Sequence, residues 1–166
     1  MNSLWRPAYV AIGSNLSNPR DRVLEALERM GALEATHSVM RSRLYLTRPM
    51  GSQDQPQFVN AAAGLLTQLT ARDLLTALLG IEQSMGRTRR ERWGPRVIDL
   101  DLVWMVDSAL DEPGLTVPHP GVSRRNFVLY PLADIAPNIS IPGHGVVLDL
   151  KGAVGGDGIS LWTQEL

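Results

Sequence analysis

The hydrophobic and polar positions predict six elements before any chemistry is considered. Tyr9-Val10-Ala11-Ile12 is an apolar run that stops at the turn-forming cluster Gly13-Ser14-Asn15, so a buried first strand is expected. A helix follows: Asn18 suits the N-cap, Pro19 the first helical position, Val23, Leu24, Leu27 and Met30 recur at helical spacing, and Gly31 closes the end. Residues 39–46 alternate as one exposed antiparallel strand. Residues 47–57 are polar, carry Pro49 and Pro56, show no periodicity and exceed most loops of compact domains, a length that often signals function. Residues 58–66 read as the next strand, with Phe58, Asn60 and Ala62 on one face and small residues that let a helix or ligand lie close. Thr70 then caps a second helix whose stripe is Leu74, Leu78, Ile81 and Met85, ending at Gly86. In residues 97–104, Ile98, Leu100, Leu102 and Trp104 point one way and Val97, Asp99, Asp101 and Val103 the other.

The order strand, helix, strand, strand, helix, strand predicts an α+β fold with a ferredoxin-like βαββαβ core. That is an antiparallel sheet with helices packed on it, the acidic strand central or next to the first. A C-terminal extension follows. Residues 107–114 form a polar excursion and Leu115-Thr116-Val117-Pro118-His119-Pro120 a proline-pinned segment. Arg124-Arg125-Asn126-Phe127 leads into an apolar stretch ending at Pro137, residues 139–141 add a small strand, and residues 146–150 an edge element. With 166 residues and no internal repeat, residues 1–166 are expected to form one domain.

Composition narrows the chemistry. Apolar residues make up 44% of the chain, as in ordinary globular proteins, and the net charge of −1 argues against a surface built for general polyanion binding. Lys151 is the single lysine and is followed by Gly152, so the Gly-Lys-Ser/Thr phosphate loop is excluded and any phosphate must be held by arginine. The absence of cysteine removes disulfides, thiolate catalysis and Cys-based metal sites. No segment has the roughly 18 apolar residues of a membrane span, and residues 8–12 are too short for a signal-peptide core, so a soluble, unprocessed, cytoplasmic protein is expected.

The charge is concentrated in one window. Arg87, Arg89, Arg90, Arg92 and Arg96 fall within ten residues and run into Asp99 and Asp101. On one strand face those carboxylates start roughly 6.6 Å apart and repel by about 2.5 kcal/mol at an effective dielectric near 20, so a cation belongs between them. A divalent metal and the upstream guanidinium groups both satisfy this, and a purely structural set of ion pairs remains open. The arginines also repel one another until a multi-oxygen anion arrives, and Mg²⁺ usually binds through one or two carboxylates plus substrate phosphates. Together these describe a magnesium–nucleotide site without a covalent nucleophile. Trp93, set in a polar loop with little core to join, suits a cover over a ligand.

Four blocks in order, Gly13-Ser14-Asn15-Leu16, Gly51-Ser52-Gln53-Asp54-Gln55-Pro56 with Phe58 and Asn60, Arg92-Trp93-Gly94-Pro95-Arg96 with Asp99-Leu100-Asp101, and Val117-Pro118-His119-Pro120 with Arg125 and Phe127, resemble the 6-hydroxymethyl-7,8-dihydropterin pyrophosphokinase family. The resemblance implies transfer of diphosphate from ATP to the pterin hydroxymethyl group, with release of AMP, in folate biosynthesis. It implies two Mg²⁺ ions on Asp99 and Asp101, transition-state arginines at Arg87 and Arg96, and Arg89, Arg90, Arg92 and Trp93 in a closing loop. By the same resemblance, Thr116, His119 and Arg125 hold ATP, Phe58 and Phe127 sandwich the pterin, and Asn60 with backbone around Thr47, Arg48 and Met50 reads its edge. No partner beyond these small molecules is expected, neither nucleic acid nor membrane, and a monomer is the default. The rival readings are a ferredoxin-like RNA-binding module and a silent relative that only binds nucleotide. The first lacks the aromatic strand motif of such domains, and its acid pair would repel a phosphate backbone.

Overall fold

The computed structural model describes residues 4–49, 54–86 and 95–163. Its elements in chain order are β1 (Arg6–Ser14), α1 (Pro19–Gly31), β2 (Thr36–Arg41), β3 (Tyr45–Thr47), β4 (Phe58–Thr67), α2 (Ala71–Ser84), β5 (Asp99–Met105), β6 (Leu110–Glu112), β7 (Leu115–Val117), α3 (Asn126–Ile135), β8 (Ser140–Ile141), β9 (Gly145–Val146), α4 (Val147–Val154) and β10 (Ile159–Leu161). The main sheet is antiparallel, in the order β10-β3-β4-β1-β5, with β2 also paired to β4. The acidic strand β5 lies next to the first strand, as expected, at the end of that path.

The predicted stripes are buried at Val23, Leu27 and Met30 on α1, with Leu24 half-buried, and at Leu74, Leu78 and Ile81 on α2 with Met85 just past its end; Ala26 and Ala71 join them. Fully burying one such leucine contributes about 1.5–3 kcal/mol. They cover one face of the sheet, to which β1 contributes Val10 and Ile12 and β4 contributes Val59, Ala61, Ala63 and Leu65. The other face of β4 carries Phe58, Asn60, Ala62 and Gly64. There α3 lies so close that a β-carbon on Gly64 would stand 3.7 Å from Ile135 Cδ1. The small residues of β4 thus admit a helix at one end of the strand and a cavity at the other.

The start of α2 is as expected, Thr70 Oγ1 accepting the Asp73 N–H at 3.1 Å. At α1, Pro19 begins the helix, but Asn18 sits in the left-handed region (φ 61°) and makes no side-chain capping bond. The helix entry is therefore a backbone turn rather than an Asn cap.

Three strand expectations are corrected. The single strand over residues 39–46 is two strands, because the Ala62 N–H donates to the Ser42 hydroxyl at 2.8 Å. The Arg43 N–H, Nε and Nη2 then turn to Asp134 at 3.1, 3.1 and 2.8 Å. In β5 a bulge pairs Val10 with Leu102 but Tyr9 with Trp104, so Trp104 leaves the Leu100 and Leu102 side and stacks on Tyr9, ring centroids 6.3 Å apart. In the extension, the expected edge element at residues 146–150 is mostly helix α4, the apolar stretch after Arg125 is α3, and β10 returns to the main sheet beside β3.

Asp134 also accepts the Tyr45 hydroxyl at 2.9 Å, closing a clip between the β2–β3 break and α3. Burial, then the bond to Asp134, pushes the Tyr45 phenol from 10.0 up to about 12. A raised folded-state pKa favours the neutral form, so this contribution is complete below pH 10.0 and is lost as pH rises toward about 12. In chemical denaturation across that window, stability should fall less steeply for Tyr45→Phe than for the wild type. Thr70→Ala should cost about 1 kcal/mol in urea unfolding at neutral pH, with an unchanged m-value.

Candidate active site

Cross-strand register builds the site. Gly13 of β1 pairs with Asn60 of β4 on one side and Asp99 of β5 on the other, and Ala11 pairs with Ala62 and Asp101. Cross-strand partners share a face, so Asn60, Asp99 and Asp101 emerge on the α3 side of the sheet. A β-carbon on Gly13 would sit 2.8 Å from Asn60 Oδ1, so glycine is required there for the Asn60 amide to lie across β1. Above this row is a cavity of ≈ 280 Å³.

One end of the cavity is aromatic and amide-bearing. Phe58 comes from β4 and Phe127 from the first turn of α3, while Asn60, 5% exposed, donates from Nδ2 to Thr47 Oγ1 at 2.6 Å. Arg48 also lines this end. The Arg125 guanidinium carbon lies 5.8 Å from the Phe127 ring centre, within cation–π range.

The other end is charged. Arg96 Nη1 stands 3.4 Å from Asp99 Oδ1, each side chain about a quarter exposed, and Asp101 lines the same wall. Among the described residues no group of three or more His, Cys, Asp or Glu side chains gathers. A metal on Asp99 and Asp101 would therefore complete its shell with water and substrate oxygens, which fits the habits of Mg²⁺.

His119 is pinned to β5 by its N–H to Val103 O at 2.7 Å, and its Nδ1 accepts the Gly121 N–H at 3.0 Å. Burial, then the positive charge of Arg125, pushes its pKa below the usual 6.5, while Asp99 opposes them. The ring is thus a neutral imidazole with its proton on Nε2, a hydrogen-bond donor toward an acceptor-rich ligand.

The structure brings together Arg96, Asp99, Asp101, His119, Arg125, Thr47, Arg48, Phe58, Asn60 and Phe127 around one cavity. Thr116 is not part of that lining; it is exposed on β7, and its hydroxyl donates to Asp111 at 3.3 Å. Arg87, Arg89, Arg90, Arg92, Trp93 and Met50 lie outside the described residues.

Three residues that hold the site have no role in the sequence reading. Asn15, 2% exposed, donates to Gln55 Oε1 and Pro56 O at 2.9 Å each, accepts the Arg96 N–H at 2.8 Å and gives its own N–H to Arg96 O at 3.0 Å. Ser14 donates to Val97 O. The motif after β1 therefore clasps the polar loop before Phe58 to the segment carrying Arg96. Glu82, 2% exposed, accepts the N–H of Leu100, between the two aspartates, at 3.4 Å. Its signal was present, since position 82 falls four residues after Leu78 on the apolar stripe.

Comparison with known proteins follows this geometry. A model of the 7,8-dihydro-6-hydroxymethylpterin-pyrophosphokinase (HPPK) family matches residues 9–137. A 2-amino-4-hydroxy-6-hydroxymethyldihydropteridine pyrophosphokinase of Pseudomonas aeruginosa is 46% identical over 151 residues, covering 91% of this chain and 93% of the relative. Its namesake in Haemophilus influenzae is 39% identical over 143 residues, covering 86% and 89%. A crystal structure of Plasmodium falciparum HPPK-DHPS with pterin and p-hydroxybenzoate shares the fold, with a TM-score of 0.72 over 92% of this chain at 13% identity. This chain spans 44% of that longer one. By the family match over residues 9–137 and the identity to these relatives, the chain belongs to the 7,8-dihydro-6-hydroxymethylpterin-pyrophosphokinase family.

Proposed function

We propose that this chain transfers diphosphate from ATP to the hydroxymethyl group of 6-hydroxymethyl-7,8-dihydropterin, releasing AMP, as a step of folate biosynthesis. The observation that carries this reading is the single cavity lined by Phe58 and Asn60 from β4, Phe127 from α3, and Arg96, Asp99 and Asp101 on the β5 side. A flat heterocycle with amide-like edges suits two rings and a buried Asn, and a polyphosphate suits guanidinium beside carboxylates that carry a metal.

In this reading the pterin hydroxymethyl oxygen attacks the β-phosphorus of ATP and loses its proton. The bond from the β-phosphorus to the oxygen bridging it to the α-phosphate breaks, and AMP leaves with that electron pair. The chain supplies position and charge. Asn60, held by Thr47, reads the pterin edge; Phe58 and Phe127 fix the ring plane; Arg96, with Arg87, neutralises the moving diphosphate. His119 and Arg125, with Thr116, Arg89, Arg90, Arg92 and Trp93, serve ATP. Asp99 and Asp101 would hold two Mg²⁺ ions, which when bound neutralise charge on the triphosphate and on the developing alkoxide. The enzyme is proposed to act as a single-domain monomer in the cytoplasm.

Purified protein supplied with Mg²⁺, ATP and the hydroxymethyl dihydropterin should release AMP and a diphosphorylated pterin, resolved by ion-exchange chromatography; ADP, or no turnover, would sink the assignment. Asp99→Ala and Asp101→Ala should each lower turnover by about 100-fold or more. Their melting temperatures should hold, because a partly exposed pair such as Arg96–Asp99 contributes only about 0–1 kcal/mol. A variant that unfolds instead would mark these carboxylates as structural.

A further inference from the structure

Residues 155–161 lie beyond the stretch that matches the family, yet they pack against residues that line the cavity. β10 extends the sheet beyond β3, with Ile159 opposite Thr47 and Leu161 opposite Tyr45, and the Arg48 N–H donates to Gly158 O at 3.0 Å. The turn before β10 crosses the start of α3, where Asn126 Nδ2 donates to both Gly155 O at 3.2 Å and Asp157 O at 2.8 Å. Two of its glycines lie close under side-chain ends, and Gly158 also has a left-handed backbone. A β-carbon on Gly156 would stand 2.7 Å from the Tyr130 hydroxyl oxygen, and one on Gly158, at φ +75°, 2.6 Å from Arg48 Nε. Arg48 Nη2 meets Asp157 Oδ1 at 2.7 Å.

This segment thus joins two elements that contribute to the cavity, meeting Thr47 and Arg48 on one and Asn126, next to Phe127, on the other. An ion pair as exposed as Arg48–Asp157 (56% and 97%) adds little stability. A strand ladder and a two-pronged amide hold residues 155–161 in one path instead. Thr47 in turn receives the Asn60 amide at 2.6 Å, so the ladder is linked to the pocket floor.

We propose that residues 155–161 are a positioning strap for the pterin end of the cavity, in which Asn126 and Asp157 set the spacing between the Phe127 wall and the Thr47–Arg48 wall. This rests on the reading of that end as the pterin site. The strap acts more on pterin than on ATP, because Arg96 is held by Asn15 and His119 by β5, neither of which the strap touches, and Arg125, beside Asn126, is among the described residues the one ATP-side group next to its anchor.

Asn126→Asp in the full chain tests it. The change keeps size, turns the donor into a carboxylate facing two carbonyl oxygens, and adds an acid at the start of α3, where negative charge favours the helix. Expected are faster hydrogen exchange at the Arg48 amide, a dissociation constant for the dihydropterin raised about fivefold, and an ATP dissociation constant within about twofold of wild type. Gly158→Ala, which displaces Arg48, should show the same split and stands in if the first variant does not fold. Asp157→Glu should retain pterin affinity that Asp157→Asn loses. Unchanged Arg48 exchange with unchanged pterin affinity would overturn the proposal, and so would equal losses of pterin and ATP affinity, which mark general destabilisation. Wild-type protein that binds ATP but no pterin would overturn the assignment of the pocket and the strap's role with it, while Arg48 exchange would still show whether the strap is anchored.

Discussion

The register at Gly13 holds the two halves of the site in relation to each other. With Asn60 on one neighbouring strand and Asp99 on the other, the pterin-type end and the charged end lie two strand spacings apart, roughly 9.6 Å in a sheet of ordinary geometry. A slip of one residue in either pairing would turn Asn60 or the aspartates to the helix-covered face. The missing side chain at Gly13 lets the Asn60 amide lie over β1. Asn15, two residues on, fastens Arg96 and the Gln55–Pro56 loop to the same strand end. One short motif therefore sets the distance between residues 55–60 and residues 96–99, two stretches far apart in sequence.

Electrostatics then divide the cavity. Arg96 already faces Asp99, and the choice between a metal and a guanidinium beside the acid pair becomes a competition between them at one wall. His119 adds no charge there, because burial and Arg125 keep its imidazole neutral. The aromatic end depends on packing: Phe127 is placed by α3, and α3 is placed by the Gly64 contact and by the clip of Asp134 to Arg43 and Tyr45.

Both amphipathic helices were legible from spacing, since Leu27 on α1 and Leu78 on α2 have to meet a sheet whichever sheet it is. The common face of Asp99 and Asp101 was legible because period two is a property of the strand itself. Trp104, three residues further, was not, because the bulge beside Tyr9 arises from pairing with β1. The break at Ser42 likewise needs the Ala62 N–H and the Asp134 carboxylate, partners 20 and 91 residues away along the chain. Thr116, which the resemblance assigns to ATP, stands on the β7 hairpin with its hydroxyl on Asp111 and is not among the residues that line the cavity.

What the sequence determined alone is local: the apolar stripes, the small-residue strand, the exclusion of lysine-loop and cysteine chemistry, and the residue types able to hold a polyphosphate and a flat ring. Its motifs also point to the family, to which the comparisons show the chain belongs. Tertiary structure alone decided which residues share the cavity, why position 13 is glycine, that Asn15 is a clasp, and that residues 155–161 pack against Thr47, Arg48 and Asn126. Those features depend on contacts between segments distant in sequence, and a pattern of neighbours along the chain carries no record of which distant backbone will supply the partner.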